Sequence, residues 1–216
     1  MHVLVVSGGS IDCPFAKAYL SGKTFDRIIA ADAGLAACAG LGINPTDVIG
    51  DFDSLEDFSL LEEVEKKGIP VTRYPVKKDY TDTDLAFSMC EEMGADRVTV
   101  LGATGSRMDH TLANLALMAR MEKKGIHTVI LDAHNEAEVL IGPAEKTFMK
   151  KEKSEYISVL ALWGTVRGLD LEGFLYPMEN GDLHPFESLG ISNEITGPRG
   201  TVRIREGCLL VIRSAD

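Results

Sequence analysis

Short apolar runs alternate with amphipathic segments through the first 130 or so residues of the chain. The apolar runs are continuous rather than alternating and predict strands buried on both faces, at 3–6, 27–30, 71–74, 97–101 and 128–131. Between them, apolar residues recur at helical spacing within 55–64, 85–93 and 112–119. This succession predicts an open, mostly parallel α/β sheet.

Two of the predicted helices end on the same tetrapeptide, Lys-Lys-Gly-Ile, at 66–69 and at 123–126. Lysines are favourable at the negative end of a helix dipole, and a glycine readily adopts the left-handed cap conformation. The repeated ending predicts two helix-to-strand junctions of the same kind.

The pattern changes near residue 136, where helical periodicity gives way to short segments of strand character. These segments lie at 156–162, 165–171, 201–205 and 208–213, with turn residues between them. The sequence therefore predicts an α/β domain over 1–135 and a smaller all-β domain over 136–216. We expect 176–199 to be a long connection between strands.

Composition narrows the classes of function. The 216 residues are 45% hydrophobic and carry a formal net charge of −11, which does not suit binding to a nucleic-acid backbone. The four cysteines are isolated from one another, as in a reducing compartment, and the apolar segments are too short to span a membrane. We expect a cytoplasmic protein with neither nucleic acid nor membrane as a partner.

The first candidate site is the pair Asp51 and Asp53, which follows an apolar run. Carboxylates at i and i+2 of an extended segment point to the same side, about 7 Å apart, and can bracket a hard cation. The same residues also suit an acidic loop that caps the next helix.

The second candidate lies just before a predicted helix, at 78–84. Thr81 and Asp84 have capping-box spacing, in which Thr81 caps the helix and Asp84 returns to its amide. That leaves Asp79 and Asp82 to extend a metal site, and Lys78 to offer positive charge to phosphates.

The third candidate is the segment 101–110, which runs from a strand into a helix. Its glycines permit close approach of the backbone to a phosphate, and Arg107 offers a planar fork for phosphate oxygens. Asp109 is equally suited to cap the helix, and His110 to a structural role. Together the three segments favour a magnesium–polyphosphate site.

Several functions remain compatible with these residues taken alone. One is phosphoryl or pyrophosphoryl transfer, which depends on metal ions and positioned phosphates. Another is a phosphatase similar to haloacid dehalogenases with Asp51 as the nucleophile, although Ser54 stands where that motif normally carries threonine or valine. A third is a sensor of nucleotide or metal without catalytic activity.

The assembled motifs resemble those of thiamine pyrophosphokinases over nearly the whole chain. They occur in the family's order: Asp32-Ala33-Gly34, Gly50-Asp51-Phe52-Asp53-Ser54, Lys78-Asp79-Tyr80-Thr81-Asp82, Gly102-Ala103-Thr104-Gly105-Ser106-Arg107-Met108-Asp109-His110 with Asn114, and Gly190-Ile191-Ser192-Asn193-Glu194. The Gly-Asp-Phe-Asp-Ser and Arg-x-Asp-His blocks together are specific, whereas either alone is not.

The resemblance implies a homodimer with a Rossmann-like domain followed by a β-sandwich, which transfers pyrophosphate from ATP to thiamine and releases AMP. It implies Mg²⁺ ligation by Asp51, Asp53, Asp79 and Asp82, catalysis by Asp51, Asp53 and Asp82, and thiamine binding by Ser192 and Asn193. Among the catalytic carboxylates, Asp51 is expected to accept the thiamine hydroxyl proton. The implied ATP-binding positions are Asp32, Gly34, Lys78, Gly102, Thr104, Gly105, Arg107, Asp109, His110 and Asn114.

Two residues lie outside the family pattern. Ala33 stands where the family commonly carries glycine, and its methyl group is expected to crowd a backbone approach to the nucleotide. Trp163 matches no family motif, and we expect it to pack in the core rather than stack on thiamine. The phosphate-binding segments alone leave a related acceptor open, such as a hydroxymethylpterin.

Overall fold

The computed structural model describes residues 1–53, 58–151 and 155–216. The chain divides into two compact units, Met1–Ala133 and His134–Asp216. Each unit has its own architecture and is described separately.

The first unit is a parallel sheet with helices between its strands. The strands are β1 (His2–Val6), β2 (Arg27–Ala31), β3 (Asp47–Gly50), β4 (Val71–Arg73), β5 (Arg97–Leu101) and β6 (His127–Leu131). The helices are α1 (Cys13–Leu20), α2 (Gly34–Leu41), α3 (Ser59–Lys66), α4 (Asp82–Glu92) and α5 (Met108–Lys123). The strands pair in parallel in the order β4-β3-β2-β1-β5-β6, which confirms the predicted sheet.

Strand β1 is central and is covered on both faces. Leu4 and Val6 belong to an apolar cluster that includes side chains of α1, α2 and α3. Val3 and Val5 point to the opposite face because side chains alternate along a strand. On that face α4 packs on β2 and β3, and α5 packs on β6. Burial on both faces explains why these strands are continuously apolar.

The repeated Lys-Lys-Gly-Ile ending forms two helix caps of the same kind. Gly68 after α3 has φ +73° and Gly125 after α5 has φ +77°. In both caps the isoleucine amide donates to the carbonyl oxygen five residues earlier, at 3.0 Å. These bonds satisfy carbonyl groups that the helix leaves unpaired, and they confirm the predicted junctions.

Two helices of the first unit lie outside the predicted elements. Helix α2 is rich in small and apolar residues and has no polar face, so its sequence has little helical periodicity. Helix α1 is short, although Asp12 caps it by accepting from the Phe15 amide at 2.7 Å. The helix predicted over 55–64 is found as α3, and its predicted first residue, Leu55, lies outside the described residues.

The second unit consists of antiparallel strands. They are β7 (Asn135–Ile141), β8 (Ala144–Met149), β9 (Tyr156–Leu160), β10 (Val166–Glu172), β11 (Met178–Leu183), β12 (Arg199–Ile204) and β13 (Cys208–Ser214). Strand β13 pairs with β7 and β9, and a second sheet has the order β11-β10-β12-β8. Buried residues from all seven strands meet in one core, including Leu140, Phe148, Val159, Leu169, Leu183, Val202 and Leu209. This is the expected sandwich.

Three expectations for the second unit need correction. The stretch 176–199 contains strand β11, whose polar sequence Met-Glu-Asn-Gly-Asp-Leu concealed it. It lies at the edge of its sheet and pairs with β10 through shifts of register. Strands β7 and β8 were not predicted. Trp163 is 37% exposed instead of packing in the core, because it lies in the turn before β10.

Candidate active site

A cleft of about 580 Å³ opens at the carboxyl ends of β1 and β5. Strands β2, β3 and β4 are added in turn on one side of β1, and the chain then crosses to β5 on its other side. The loops after β1 and β5 therefore lead to opposite sides of the sheet. Such a switch point is where open α/β sheets bind ligands. The lining includes Ser7 to Ser10, Asp32, Lys78, Thr81 to Thr83, Gly102 to Arg107, His110 and Asn114.

The loops after β1 and β5 are joined through their backbones. The Gly9 amide donates to the Gly102 carbonyl oxygen and the Ser10 amide to the Thr104 carbonyl oxygen, both at 2.8 Å. A Cβ at position 9 would lie 2.3 Å from the Gly102 oxygen, so only glycine permits this approach. The pairing fixes the floor of the cleft.

Two predicted ATP-binding side chains hold the loop after β5 in place. Thr104 Oγ1 donates to Asp132 Oδ2 at 2.8 Å, and Asn114 Nδ2 donates to the Ala103 carbonyl oxygen at 2.7 Å. Asn114 is buried on α5. These bonds give both side chains a positioning role, and Gly102 and Gly105 of the same loop line the cleft.

Gly34 has a packing role at the start of α2. A Cβ at this position would lie 1.9 Å from the Val6 carbonyl oxygen, so the glycine allows α2 to approach β1. The residue before it, Ala33, is the N-cap of the helix. Packing therefore explains the glycine at position 34, and its contact with the nucleotide stays a prediction.

Three carboxylates converge beside the cleft, those of Asp32, Asp51 and Asp53. One ligand oxygen from each lies within 4.8 Å of the others. Asp32 follows β2 and Asp51 follows β3, and these neighbouring strands run parallel. The backbone turns between the aspartates of the pair, because Phe52 has φ +62° and buries its ring. The predicted extended arrangement of Asp51 and Asp53 is thus replaced by a turn, in which the Asp53 amide donates to Asp51 Oδ1 at 3.3 Å.

Lys78 connects this cluster to the start of α4. Its ammonium donates to Asp82 Oδ1 at 2.8 Å and also contacts Asp51 Oδ2. Among the described residues, the three-carboxylate cluster does not include Asp79, which is exposed, or Asp82. We call the cluster of Asp32, Asp51 and Asp53, together with Asp82 and Lys78, the acidic centre.

The predicted capping box at α4 is half realised. Thr81 Oγ1 accepts from the Asp84 amide at 3.2 Å, as expected for the cap. The Asp84 carboxylate instead accepts from Arg120 Nη1 of α5 at 2.7 Å. The first turn of α4 is therefore fixed by both its cap and a link to α5.

The charges of the acidic centre shift one another's protonation. Burial favours the neutral form of Asp51, but hydrogen bonds from Lys78 and from the Asp53 amide outweigh it and lower the pKa of Asp51. The adjacent charge of Asp51 raises the pKa of Asp53, and burial raises the pKa of Asp82. The centre gathers more negative charge than a single ammonium balances.

Arg107 and His110 line the cleft, and both are exposed, as is Asp109. The Arg107 guanidinium binds the Asp109 carboxylate with two hydrogen bonds, at 3.2 Å and 2.6 Å. This pairing lowers the pKa of Asp109 to about 2. Asp109 lies inside α5, which starts at Met108, so it orients Arg107 and does not occupy the N-cap position.

The predicted thiamine segment lies in the second unit and is held tightly. Asn193 is buried, and its Oδ1 accepts from the Tyr176 amide at 2.9 Å while Nδ2 donates to the Tyr176 carbonyl oxygen at 2.8 Å. Ser192 has φ +56°, and its amide donates to Ser158 Oγ at 3.0 Å. The Asn193 side chain fixes the segment, whereas the Ser192 side chain is exposed.

Sequence reasoning assigned Asp32 to the nucleotide and did not find Asp132 or Ser158. Asp32 carries a signal that was available, because it follows an apolar strand in the same way as Asp51. Asp132 and Ser158 contact residues distant in sequence, and a single sequence offers no signal for such pairs.

Comparison with known proteins gives the same assignment along the chain. Residues 20–130 match the family model of the thiamin pyrophosphokinase catalytic domain, and residues 145–209 match that of the thiamin pyrophosphokinase vitamin B1 binding domain. The chain belongs to the thiamin pyrophosphokinase family. Thiamin pyrophosphokinases are transferases, and this chain is an enzyme of that class.

Individual relatives agree with the family assignment. The thiamine pyrophosphokinase of Bacillus subtilis (strain 168) is 34% identical over 188 residues, which cover 87% of each chain. The crystal structure of thiamine pyrophosphokinase from Bacillus subtilis has a TM-score of 0.88 at 32% identity, with full coverage of both chains. That from Geobacillus thermodenitrificans has a TM-score of 0.85 at 29% identity, covering 100% of this chain and 98% of the other. No helix within the described residues is long and apolar enough to cross a membrane.

Proposed function

We propose that this chain transfers a pyrophosphate group from ATP to the hydroxyl group of thiamine in a Mg²⁺-dependent reaction that gives thiamine diphosphate and AMP. The observation that carries this proposal is the convergence of Asp32, Asp51 and Asp53 at the rim of a glycine-lined cleft. The family membership of the chain supplies the acceptor.

The cleft suits the phosphates of ATP. The loop 102–105 presents backbone to the cleft just before α5, and unpaired amides at a helix start attract anions. Arg107, held by Asp109, adds a planar guanidinium. Gly102, Gly105, Arg107 and His110 are the proposed direct contacts, with Thr104 and Asn114 holding the loop.

The acidic centre suits Mg²⁺ in the chemistry of its donors. Mg²⁺ prefers oxygen ligands and is usually bound by one or two carboxylates together with substrate phosphates. Asp51 and Asp53 are the proposed ligands, with Asp32 beside them in the place assigned to Asp79 from sequence. When bound, the ion supplies positive charge for the phosphate oxygens.

The reaction needs little covalent chemistry from the protein. The thiamine hydroxyl oxygen forms a bond to the β-phosphorus of ATP, and the bond from that phosphorus to the oxygen bridging the α-phosphorus breaks. AMP leaves with the electron pair, and a carboxylate of the acidic centre, which we expect to be Asp51, takes the hydroxyl proton. The chain contributes position and charge.

The segment around Ser192 is proposed to contact thiamine. Its bonds to Tyr176 and Ser158 hold it in one conformation before the ligand binds. The second unit also carries exposed apolar side chains, namely those of Leu175, Tyr176, Phe186, Leu189 and Ile191. Their exposure supports the proposed homodimer, in which they would be buried between two copies of the chain. Light scattering after size-exclusion chromatography tests this, and a monomer at micromolar concentration contradicts it.

The activity is tested by incubating the protein with ATP, MgCl₂ and thiamine and identifying the products by mass spectrometry. Thiamine diphosphate and AMP are expected in equal amounts, and neither is expected without thiamine. Asp53→Asn, which keeps the volume and removes the charge, is expected to lose turnover by at least about a hundredfold while keeping its thermal midpoint. Release of orthophosphate without thiamine would instead indicate a phosphatase.

A further inference from the structure

Lys78 provides the positive charge inside the acidic centre. Its ammonium lies between Asp51 and Asp82, with 2.8 Å from Nζ to Asp82 Oδ1, and its side chain is only 12% exposed. Lysine is rarely buried to this extent unless it is paired. The carboxylates it contacts extend the same cluster that gathers Asp32 and Asp53.

We propose that Lys78 is the resident counter-ion of the acidic centre and that a divalent cation displaces its ammonium from Asp51 when the metal binds. This inference rests on the proposed function, because it takes the acidic centre as the metal site. Asp51 is the residue that both sets share, since it pairs with Lys78 and also belongs to the three-carboxylate cluster.

Both oxygens of Asp51 are already engaged. Oδ1 accepts from the Asp53 amide and Oδ2 contacts the Lys78 ammonium. A divalent cation bound by Asp51 would share that carboxylate with the Lys78 ammonium. Two positive charges on one carboxylate repel each other. Metal binding must therefore either move Lys78 or be weakened by it.

The released ammonium has a second place to bind. Lys78 lines the same cleft as Gly9, Gly102 and Gly105, where the phosphates of ATP are proposed to lie. Its flexible four-carbon stem lets the charge move while the backbone stays in place. Nucleotide thus offers Lys78 a new partner, and we expect metal and nucleotide each to strengthen binding of the other.

The first test measures Mn²⁺ binding without nucleotide, by electron paramagnetic resonance of the free ion. Lys78→Met is expected to bind Mn²⁺ at least about fivefold more tightly than the wild type, the lower end of usual coupling between sites. The matched control is Lys77→Met, which removes the same charge from the exposed neighbouring residue and is expected to match the wild type. A non-hydrolysable ATP analogue is expected to increase Mn²⁺ affinity less in Lys78→Met than in the wild type.

The outcomes separate this inference from the proposed function. Equal or weaker Mn²⁺ binding by Lys78→Met, with binding by the wild type retained, would overturn the displacement of Lys78 alone. Absence of Mn²⁺ binding by both proteins, with and without the nucleotide analogue, would overturn the metal site and the inference together.

A second test uses the wild-type chain and does not depend on the folding of a variant. An amine-acetylating reagent is applied with and without Mn²⁺, and the modification of each lysine is read by peptide mass spectrometry. Mn²⁺ is expected to raise the acetylation rate of Lys78 several-fold and to leave that of Lys77 unchanged. Protection of Lys78 that persists at saturating Mn²⁺ would overturn the proposal.

Discussion

Replacing Gly9 with alanine tests whether the pairing of the loops after β1 and β5 shapes the cleft. The new Cβ would lie 2.3 Å from the Gly102 carbonyl oxygen and 2.4 Å from that of Thr104. Both atoms belong to the backbone and cannot rotate away. The loops must separate, which stretches the two 2.8 Å hydrogen bonds that join them.

The size of the effect follows from these contacts. Each hydrogen bond contributes about 0.5–1.5 kcal/mol net, and forcing a methyl group into a packed site costs about 1–3 kcal/mol. Gly9→Ala is therefore expected to lower the free energy of unfolding by about 3 kcal/mol. For a chain of this size, that corresponds to a fall of about 6–12 °C in thermal midpoint.

The assay combines thermal unfolding with steady-state kinetics. Gly40→Ala is the matched control. Gly40 lies on helix α2, and a Cβ added there would point into open space. That variant is expected to keep or slightly raise the midpoint, since alanine favours a helix by up to about 1 kcal/mol over glycine. Gly9→Ala is also expected to raise the KM for ATP more than the KM for thiamine. A Gly9→Ala protein with the midpoint and ATP kinetics of the wild type would refute this account of the cleft.

Three further substitutions separate positioning from ligand contact. Asn114→Ala leaves the Ala103 carbonyl oxygen without its 2.7 Å donor and is expected to lower stability by about 1–3 kcal/mol in urea unfolding, whereas unchanged stability would contradict the role. Arg107→Lys is expected to raise the KM for ATP about tenfold, because an ammonium cannot reproduce a bidentate fork, and an equal rise for thiamine would count against it. Ser158→Ala removes the acceptor of the Ser192 amide and is expected to raise the KM for thiamine about fivefold with that for ATP unchanged. A higher KM for ATP with an unchanged KM for thiamine in Ser158→Ala would contradict the placement of Ser192 in the thiamine site.

The sequence predicted most of the strands that are uniformly buried, although β3, buried at all four of its residues, was not among them. Strands β1 and β5 are almost wholly buried by helices on both faces, so their residues are continuously apolar and easy to recognise. Helix α2 was not predicted, because its residues are apolar or small on every side and show no helical periodicity. Strand β11 lies at a sheet edge and consists largely of polar residues, and nothing in its pattern distinguishes it from a loop.

The acidic centre was predictable in part. Asp51 and Asp53 are close in sequence, and their position after an apolar run indicated the end of a strand. The approach of Asp32 depends on the pairing of β2 with β3, in which Ala31 lies opposite Ile49. Neither strand order nor register can be read from the local pattern. For the same reason, the contact of Lys78 with Asp51, 27 residues away, became visible only in the structure.

The structure divides the matched family residues into two groups with different consequences. In the first group the residue interacts with the protein itself. Gly34 allows close packing of α2 on β1, and the side chains of Thr104, Asn114 and Asn193 donate hydrogen bonds to other residues of the chain. Asp53, Arg107 and Ser192 are exposed and present their side chains to solvent. A motif match cannot separate these groups, because both are required at fixed positions. Substitution in the first group is expected to change stability together with KM, while substitution in the second changes kinetics at constant stability. Measuring both quantities for each variant therefore assigns a residue to positioning or to ligand contact.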